Sequence, residues 1–251
     1  MGKKLSQDEL WAKSNRWAIP YADLVTLLLT FFVLLLVILN EDEKLIEKEV
    51  SKLLSETAKQ LQKNVRNDNV DILRTDKGVQ ITLRGDLFPS ASDKINQKFR
   101  PLLKQIGGVA VNAPLFNLYN ESEKKKRAAL LKRLKQVNDS LFVEVRIEGH
   151  TDDLPLPAKK RFKFKDNWQL SSARALSVVK LLQNMTGLPP DKFSALGYGE
   201  YKPSVDVASL KTNSDKNKAR NMNRRVEIIL TANRQNKSKI ARNTLAIDLE
   251  D

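Results

Sequence analysis

The sequence contains no cysteine and only one histidine, which narrows the chemistry open to it. Without thiols it can form no disulfide, no thiolate nucleophile and no cysteine-based zinc site. A single histidine, His150, also excludes a multi-histidine metal centre within one chain. We therefore expect no metal site and no cofactor.

Motifs typical of enzymes are missing as well. The sequence shows no Ser/His/Asp spacing for nucleophilic catalysis and no glycine-rich loop of the kind that binds phosphate. Asp152 and Asp153 are a carboxylate pair that could do acid–base work, but adjacent residues on one loop rarely point together. We therefore expect that the protein is not an enzyme.

Positive charge is in clear excess. The chain has 44 lysines and arginines against 30 aspartates and glutamates, a formal net charge of +14. Such a balance indicates a polyanionic partner, which could be nucleic acid, anionic lipid or an acidic polymer. Which of these applies depends on where the basic part of the chain lies relative to a membrane.

One long apolar run, residues 18–39, contains a single charged side chain, Asp23. At about 1.5 Å per residue, a helix of this length crosses the roughly 30 Å hydrocarbon core of a bilayer. A cleaved signal peptide would have a shorter apolar region ending in small residues, whereas here Asn40 and acidic residues follow directly. The run therefore predicts an uncleaved transmembrane helix.

The flanks of this run predict its orientation. The basic residues before it are Lys3, Lys4, Lys13 and Arg16, and the acidic residues after it are Glu41, Asp42 and Glu43. The positive-inside rule places residues 1–17 in the cytoplasm and the rest of the chain outside the inner membrane. Because the basic domain then lies away from DNA and RNA, we expect no nucleic-acid partner.

Asp23 stands about five residues into the predicted helix, and Thr26 and Thr30 follow on the same face at i+3 and i+7. One interpretation is that the carboxylate lies close enough to the interface to reach water and is only tolerated. The other is that partner helices surround this polar stripe and that Asp23 alternates between an ion-bound and a charged state, since intramembrane carboxylates mark ion pathways. We favour the second interpretation, which requires partner chains because one helix cannot bury its own carboxylate.

Residues 40–69 connect the membrane run to the basic domain. Within 41–65, apolar residues recur at helical spacing between glutamates and lysines, which predicts an amphipathic helix continuing outward. This helix could be a plain spacer or a dimer-forming coil. It could also be a plug that lies on the membrane or on a partner and blocks ion flow until it is released.

A mixed pattern of strands and helices occupies residues 70–232, ahead of a polar tail at 233–251. Strands are predicted at 70–75, 79–84, 142–149, 193–198 and 224–231, and helices at 94–107, 122–137 and 168–185. This order predicts an α/β sandwich with helices packed on a mixed sheet, and the last strand as its antiparallel edge. The overall fold class is then α+β, with a single N-terminal transmembrane helix, a linker or plug helix and the sandwich domain.

Polar groups concentrate where the predicted strands and helices of this domain begin or end. Gly149-His-Thr-Asp-Asp153 leaves one strand, Asn167-Trp-Gln-Leu-Ser-Ser-Ala-Arg-Ala175 opens a helix, and Asn223-Arg-Arg-Val-Glu227 enters the last strand. A loop aspartate can hold an ammonium group, and an arginine can hold a carboxylate through two hydrogen bonds. Together they suit a zwitterionic ligand. The basic insertions at 108–140 and 159–165 could enlarge its contact or only solvate the surface.

These blocks resemble a known family. The HTD loop, the N-x-x-L-S-x-x-R-A helix start, the G-Y-G turn and the N-R-R-V-E strand resemble OmpA-like peptidoglycan-binding domains. The variant HTDDLPL with NWQLSSARALSVV, and the membrane run PYADLVTLLLTFFVLLL, resemble the MotB family of flagellar motor proteins. The resemblance covers roughly residues 15–60 and 70–231.

In the membrane, the resemblance implies a homodimer of B subunits threaded through a ring of MotA-type A subunits in the cell inner membrane. The complex would conduct protons or sodium ions, with Asp23 as the ion carrier, beside the stripe of Thr26 and Thr30. The segment that comes after the helix would be the plug.

Outside the membrane, the resemblance implies binding to the diamino-acid stem of peptidoglycan. Asp152 and Arg174 would grip the ligand, supported by Asn167, Arg225 and Thr151. Arg224 could instead pair only with acidic neighbours. Two other functions stay open: a passive tether between the inner membrane and the wall, and a motor-like complex used in gliding or phage defence.

Overall fold

The computed structural model describes residues 17–118, 120–157 and 163–236, with the side chains of 38–42 and 121–123 left undescribed. The predicted cytoplasmic segment before Trp17, most of the basic loop at 159–165 and the polar tail from 237 onward lie outside the described residues. The chain divides into two compact units, Met1–Lys48 and Glu49–Asp251.

The described part of the first unit, from Trp17 to Lys48, is almost entirely helical. Helix α1 runs over Ala18–Asn64, and its stretch Ala18–Val37 is long and apolar enough to cross a membrane. All side chains from Ile19 to Val37 are exposed, as they would be in a helix that meets lipid or partner helices. A helix beginning at residue 18 and continuing beyond residue 39 is confirmed, and its position in a membrane stays a prediction.

In the second unit, the last turns of α1 from Glu49 onward are amphipathic, as predicted. Leu53 and Leu61 are fully buried, and so is Thr57, whose hydroxyl donates to the carbonyl of Leu53 at 2.9 Å. Glu56 forms an ion pair with Arg127, which is also buried. This part of the helix therefore belongs to the packed domain.

The core of the second unit is a five-stranded mixed sheet. Its strands are β1 Val70–Thr75, β2 Gly78–Arg84, β3 Asp139–Gly149, β4 Phe193–Gly197 and β5 Arg225–Asn236. Their order is β1-β2-β5-β3-β4, antiparallel throughout except for the parallel pair β3 and β4. All the strands predicted from the sequence are present.

The prediction of β5 as an edge strand was wrong, because β5 lies at the centre of the sheet between β2 and β3. Its residues from Val226 to Leu230 are all buried. A strand that is buried on both faces is typical of the middle of a sheet rather than its rim.

The described helices after α1 are α2 Arg100–Val111, α3 Glu121–Lys126, α4 Ala128–Gln136, α5 Asn167–Thr186 and α6 Asn213–Asn223. The helix predicted at 122–137 is interrupted at Arg127. The helix predicted from residue 94 begins at Arg100 after a short 3-10 turn. Helix α6 was not predicted, because its residues are nearly all polar and show no apolar stripe.

Helix α5 connects the parallel strands β3 and β4 and packs against both. It begins at a capping Asp166, whose Oδ1 accepts from the backbone N–H of Gln169 at 2.8 Å. A Cβ on Gly149 would lie only 2.2 Å from the carbonyl oxygen of Ser171, so glycine is required for this close approach. The packing brings the start of α5 to the ends of β3 and β4.

Candidate functional site

Backbone hydrogen bonds connect the loops at the end of the sheet where β3 and β4 meet the start of α5. The N–H of His150 donates to the carbonyl of Arg225 at 3.0 Å, and that of Thr151 donates to Gly199 at 2.9 Å. Gly199 has φ +55°, a left-handed conformation that favours glycine. Residues distant in sequence therefore form one rigid surface.

A cleft of about 350 Å³ opens on this surface. The five residues predicted to contact peptidoglycan all line it: Thr151, Asp152, Asn167, Arg174 and Arg225. The structure adds His150, Arg224 and the loop 85–91 that comes after β2. One wall is apolar, formed in part by Leu154, Pro155, Leu156 and Pro157.

Arg174 is a buried cation in the wall of the cleft, with 6% of its surface exposed. Its Nε donates to the carbonyl of Ser92 at 2.9 Å and its Nη2 to that of Pro89 at 3.3 Å. Its guanidinium also lies over the ring of Phe88. Burial lowers the pKa of Arg174 to about 10, against the raising effect of Asp152, so the group is still cationic at neutral pH.

Asp152 forms an ion pair with a second cation of the cleft, Arg224. Its Oδ2 accepts from Nη1 of Arg224 at 2.6 Å. Asn167 holds the loop that carries Asp152, donating from Nδ2 to the carbonyl of Leu154 at 3.0 Å. The cleft thus holds the carboxylate of Asp152 near the guanidinium groups of Arg174 and Arg224, a set of charges complementary to an ammonium and a carboxylate.

The adjacent arginines Arg224 and Arg225 have different environments. Arg225 turns inward, where its Nε donates to Oε1 of Glu227 at 2.6 Å and its Nη2 to the carbonyl of Lys202 at 3.2 Å. Arg224 leaves 38% of its side chain exposed. One interpretation of the sequence was that Arg224 would only pair with an acidic neighbour. It does form such a pair, with Asp152, but inside the cleft.

Asp153 lies outside the cleft although it is adjacent to Asp152. Its two carboxylate oxygens accept from Nε and Nη2 of Arg220 at 2.7 and 3.0 Å. This hydrogen-bonded pair lowers the pKa of Asp153. The two neighbouring carboxylates thus bind different arginines, and they do not form an acid–base pair.

The polar stripe on α1 forms as the helical spacing requires. The Thr26 hydroxyl donates to the carbonyl of Asp23 at 2.8 Å, and the Thr30 hydroxyl to that of Leu27 at 2.9 Å. Both hydroxyl oxygens keep lone pairs that can accept a further bond. The side chain of Asp23 itself is exposed among apolar residues.

Two family models match this chain, in consecutive parts of it. Residues 3–56 match "Membrane MotB of proton-channel complex MotA/MotB", and residues 118–222 match the OmpA family. The first match covers the stripe with Asp23. The second covers the cleft residues from Thr151 to Asn167 and Arg174.

Relatives and a solved structure agree with these matches. The chain is 26% identical to YtxE of Bacillus subtilis over 86% of this chain and 88% of that protein. It is 30% identical to Motility protein B of the same organism over 73% of this chain, but spans only 57% of that relative. A crystal structure described as a MotB-like protein from Desulfovibrio vulgaris shares the fold, with a TM-score of 0.53 at 19% identity, covering 76% of this chain and 99% of that one.

The order of the two matches, with an apolar helix ahead of a sheet domain, is the order that the structure shows. We conclude that the chain is a member of the MotB family and carries an OmpA-like domain.

Proposed function

We propose that this protein is the B subunit of an ion-driven motor stator. Its membrane helix carries protons or sodium ions through Asp23 together with MotA-type subunits, and its OmpA-like domain anchors the complex to peptidoglycan. The anchored complex generates flagellar torque. It is a homodimer in the inner membrane, with its N-terminus in the cytoplasm, and it catalyses no covalent chemistry.

The observation that carries the proposal is the single carboxylate of Asp23 within an exposed apolar helix. A charged group in hydrocarbon is unfavourable by about 2.5–3.5 kcal/mol even by the smaller scales, so it calls for protein or water around it. Thr26 and Thr30 extend a polar line along the same face. Partner helices packed on this face would let an ion bind to and leave the carboxylate.

Binding of an ion to Asp23 neutralises the carboxylate, and release restores its charge. The two states favour different contacts with the surrounding subunits, because an isolated charge is disfavoured in a dry interface and a neutral group is not. Ion flow through Asp23 therefore drives a cycle of subunit positions. Wall anchoring prevents the stator from being carried round with its load.

The cleft supports the anchoring half of the proposal. Asp152 can accept an ammonium group, while Arg174 and the partly exposed Arg224 can bind a carboxylate. A stem peptide's diamino acid offers both groups on one carbon. Arg174 is fixed by two backbone carbonyls, so the site is organised before ligand arrives.

We also propose that residues 40–69 act as the plug and linker between membrane and wall domain. Their part from Glu49 to Asn64 is helical and amphipathic, with Leu53, Leu54, Ala58 and Leu61 buried in the second unit. Residues of a plug must change partners when the channel opens, so these burial contacts are the ones that opening would rearrange.

Ion flux through the complex tests the membrane half. We expect Asp23→Asn, produced with an A-type partner, to abolish flux while the complex still assembles, because the amide cannot take up and release a proton or balance a sodium ion. Asp191→Asn is the control: it removes an exposed carboxylate outside the membrane helix, the plug and the cleft, and it should leave flux unchanged. Repeating the measurement with and without sodium identifies the coupling ion. Full flux in Asp23→Asn would overturn the assignment.

A further inference from the structure

Three buried ligand-type side chains meet beneath the cleft, on the strands β3 and β5. Glu148 and Glu227 are directly opposite each other in the antiparallel register, and His150 is two residues after Glu148 on the same face. Their carboxylate and imidazole atoms all lie within 4.8 Å of one another. Glu148 is 2% exposed, His150 3% and Glu227 9%.

This cluster has polar atoms that the described residues do not satisfy. Both ring nitrogens of His150 and Oε1 of Glu148 are buried and without a hydrogen-bond partner. The nearest approach of His150 to Glu227, between Nε2 and Oε1, is 4.0 Å. More than nine in ten buried polar groups in native proteins find a partner, so unsatisfied atoms on both His150 and Glu148 within one cluster indicate a missing ligand.

The charges of the cluster indicate the sign of that ligand. Like charges directly opposite each other on neighbouring strands destabilise a sheet, and buried carboxylates are normally paired or bound to metal. Arg225 donates to Oε1 of Glu227 and balances one carboxylate. Glu148 places a second buried carboxylate beside the imidazole of His150, so the ligand that this cluster suits is a cation.

We propose that Glu148, His150 and Glu227 form a binding site for one divalent transition-metal ion of the zinc class. Two carboxylate oxygens and one imidazole nitrogen are a donor set that such ions accept. Ligand atoms around a zinc ion with bonds of about 2.0–2.2 Å lie roughly 3–3.5 Å apart, so small side-chain rotations within the 4.8 Å cluster complete the site.

The ion has a route to the site. His150 and Arg225 both line the cleft, so the cluster lies directly under its floor. Three protein ligands leave a coordination position for water. The bound ion would tie β3 to β5 at the place where Thr151 and Asp152 leave the sheet, and it would stabilise the cleft without contacting peptidoglycan. This site does not depend on the proposed motor function.

The test uses the full chain, purified in detergent without a polyhistidine tag and freed of metal by a chelator. After equilibration with zinc and removal of free ion, we expect close to one bound zinc per chain by elemental analysis. Zinc should raise the midpoint of thermal unfolding by about 5–10 °C, because a ligand at about one hundred times its Kd stabilises the state that binds it.

Glu148→Gln and His150→Gln should each reduce bound zinc at least tenfold and remove the thermal shift. Glu148→Gln keeps the shape of the side chain, so it remains informative if the histidine variant fails to fold. Glu144→Gln is the matched control, since Glu144 is a glutamate on the same strand that already pairs with Arg146 and Ser194. It should bind zinc as the unaltered chain does. An unaltered chain that retains less than a tenth of an equivalent, or a Glu148→Gln chain that binds fully, would overturn the site.

Discussion

Asp23 on the membrane helix and Asp152 in the cleft are both assigned to bind a cationic group, but the chain surrounds them differently. Asp152 has Arg224 at 2.6 Å and Arg174 in the same cleft wall. Asp23 is exposed on a helix whose described neighbours are apolar or are threonines bonded to their own backbone. The cleft is complete within one chain, whereas the membrane stripe becomes a site only with partner helices.

Because of this difference, substitutions in the two regions should impair different properties of the protein. Changes in the domain should act on folding or on wall binding, and can be measured on the chain alone. Changes in the membrane stretch should act only in the assembled complex. The largest effects are expected in the packed core of the domain, and the smallest at its exposed ion pairs.

Truncating one apolar residue in each region should show the largest contrast. Ile81 is fully buried in β2 opposite Ile228, so Ile81→Ala should lower the free energy of unfolding of the domain by about 2–5 kcal/mol. Leu28→Ala removes a similar side chain from the exposed apolar stretch and should leave domain unfolding unchanged. Urea denaturation followed by circular dichroism measures both. Equal losses would mean that the membrane stretch contributes to the domain's core.

Substituting the cleft carboxylate should weaken wall binding far more than substituting its neighbour in sequence. Asp152→Asn should weaken binding to purified cell-wall sacculi by about 2 kcal/mol or more, roughly 30-fold, because it removes one partner of a close charge pair and the acceptor for an ammonium group. Asp153→Asn should change binding less than about twofold, since Asp153 bonds Arg220 outside the cleft. A sedimentation assay checks both, and equal effects would contradict the assignment of the cleft.

Adding one methyl group where α5 meets β3 should have a smaller effect. Gly149→Ala places a Cβ against the backbone carbonyl of Ser171, which the helix can avoid only by moving. We expect a loss of about 1–3 kcal/mol in domain stability, with weaker sacculus binding. Gly108→Ala, at a helix position with open space around it, is the control and should not destabilise the domain.

The pH dependence of the Asp153–Arg220 pair should be the smallest effect. The pKa of Asp153 is lowered in the folded protein, so the pair contributes stability above the unfolded value of 3.8 and loses it as the pH falls through the folded value. Because the pair is exposed, water and salt screen it. Thermal unfolding of the unaltered chain and of Asp153→Asn should therefore differ only slightly at pH 7 and coincide once the pH lies well below the lowered pKa of Asp153.

The sequence predicted the elements that have a strong local signal. Alternation on either side of the turn at Asp76–Gly78 predicted the β1–β2 hairpin, and the long apolar run predicted the start of α1. Helix α6 has no such signal. It is stabilised by its cap, in which the Thr212 hydroxyl oxygen accepts from the backbone N–H of Asp215 at 3.1 Å, and by its buried residues Ala219 and Asn223.

The strand order and the interior of the cleft could not be predicted in the same way. Nothing local in β5 says which strands will flank it, and its central position follows from burial on both faces. The motifs identified the residues of the cleft, but not the inward turn of Arg225 or the pairing of Arg224 with Asp152. The cluster of Glu148, His150 and Glu227 depends on the register of β3 with β5. A sequence with one histidine gives no local signal for such a cluster.

We have assigned ion carrying to the membrane helix and wall anchoring to the domain. The most direct test of this separation is swimming speed in cells that carry the unaltered chain and also produce a variant. We expect Asp23→Asn to slow these cells strongly, because that chain still occupies partner subunits and wall sites but carries no ions. Adding Asp152→Asn to the same chain should restore much of the speed, since a stator that cannot hold the wall no longer displaces working ones. Unchanged swimming with Asp23→Asn, or equal inhibition by the single and the double variant, would contradict the separation of ion carrying from wall anchoring.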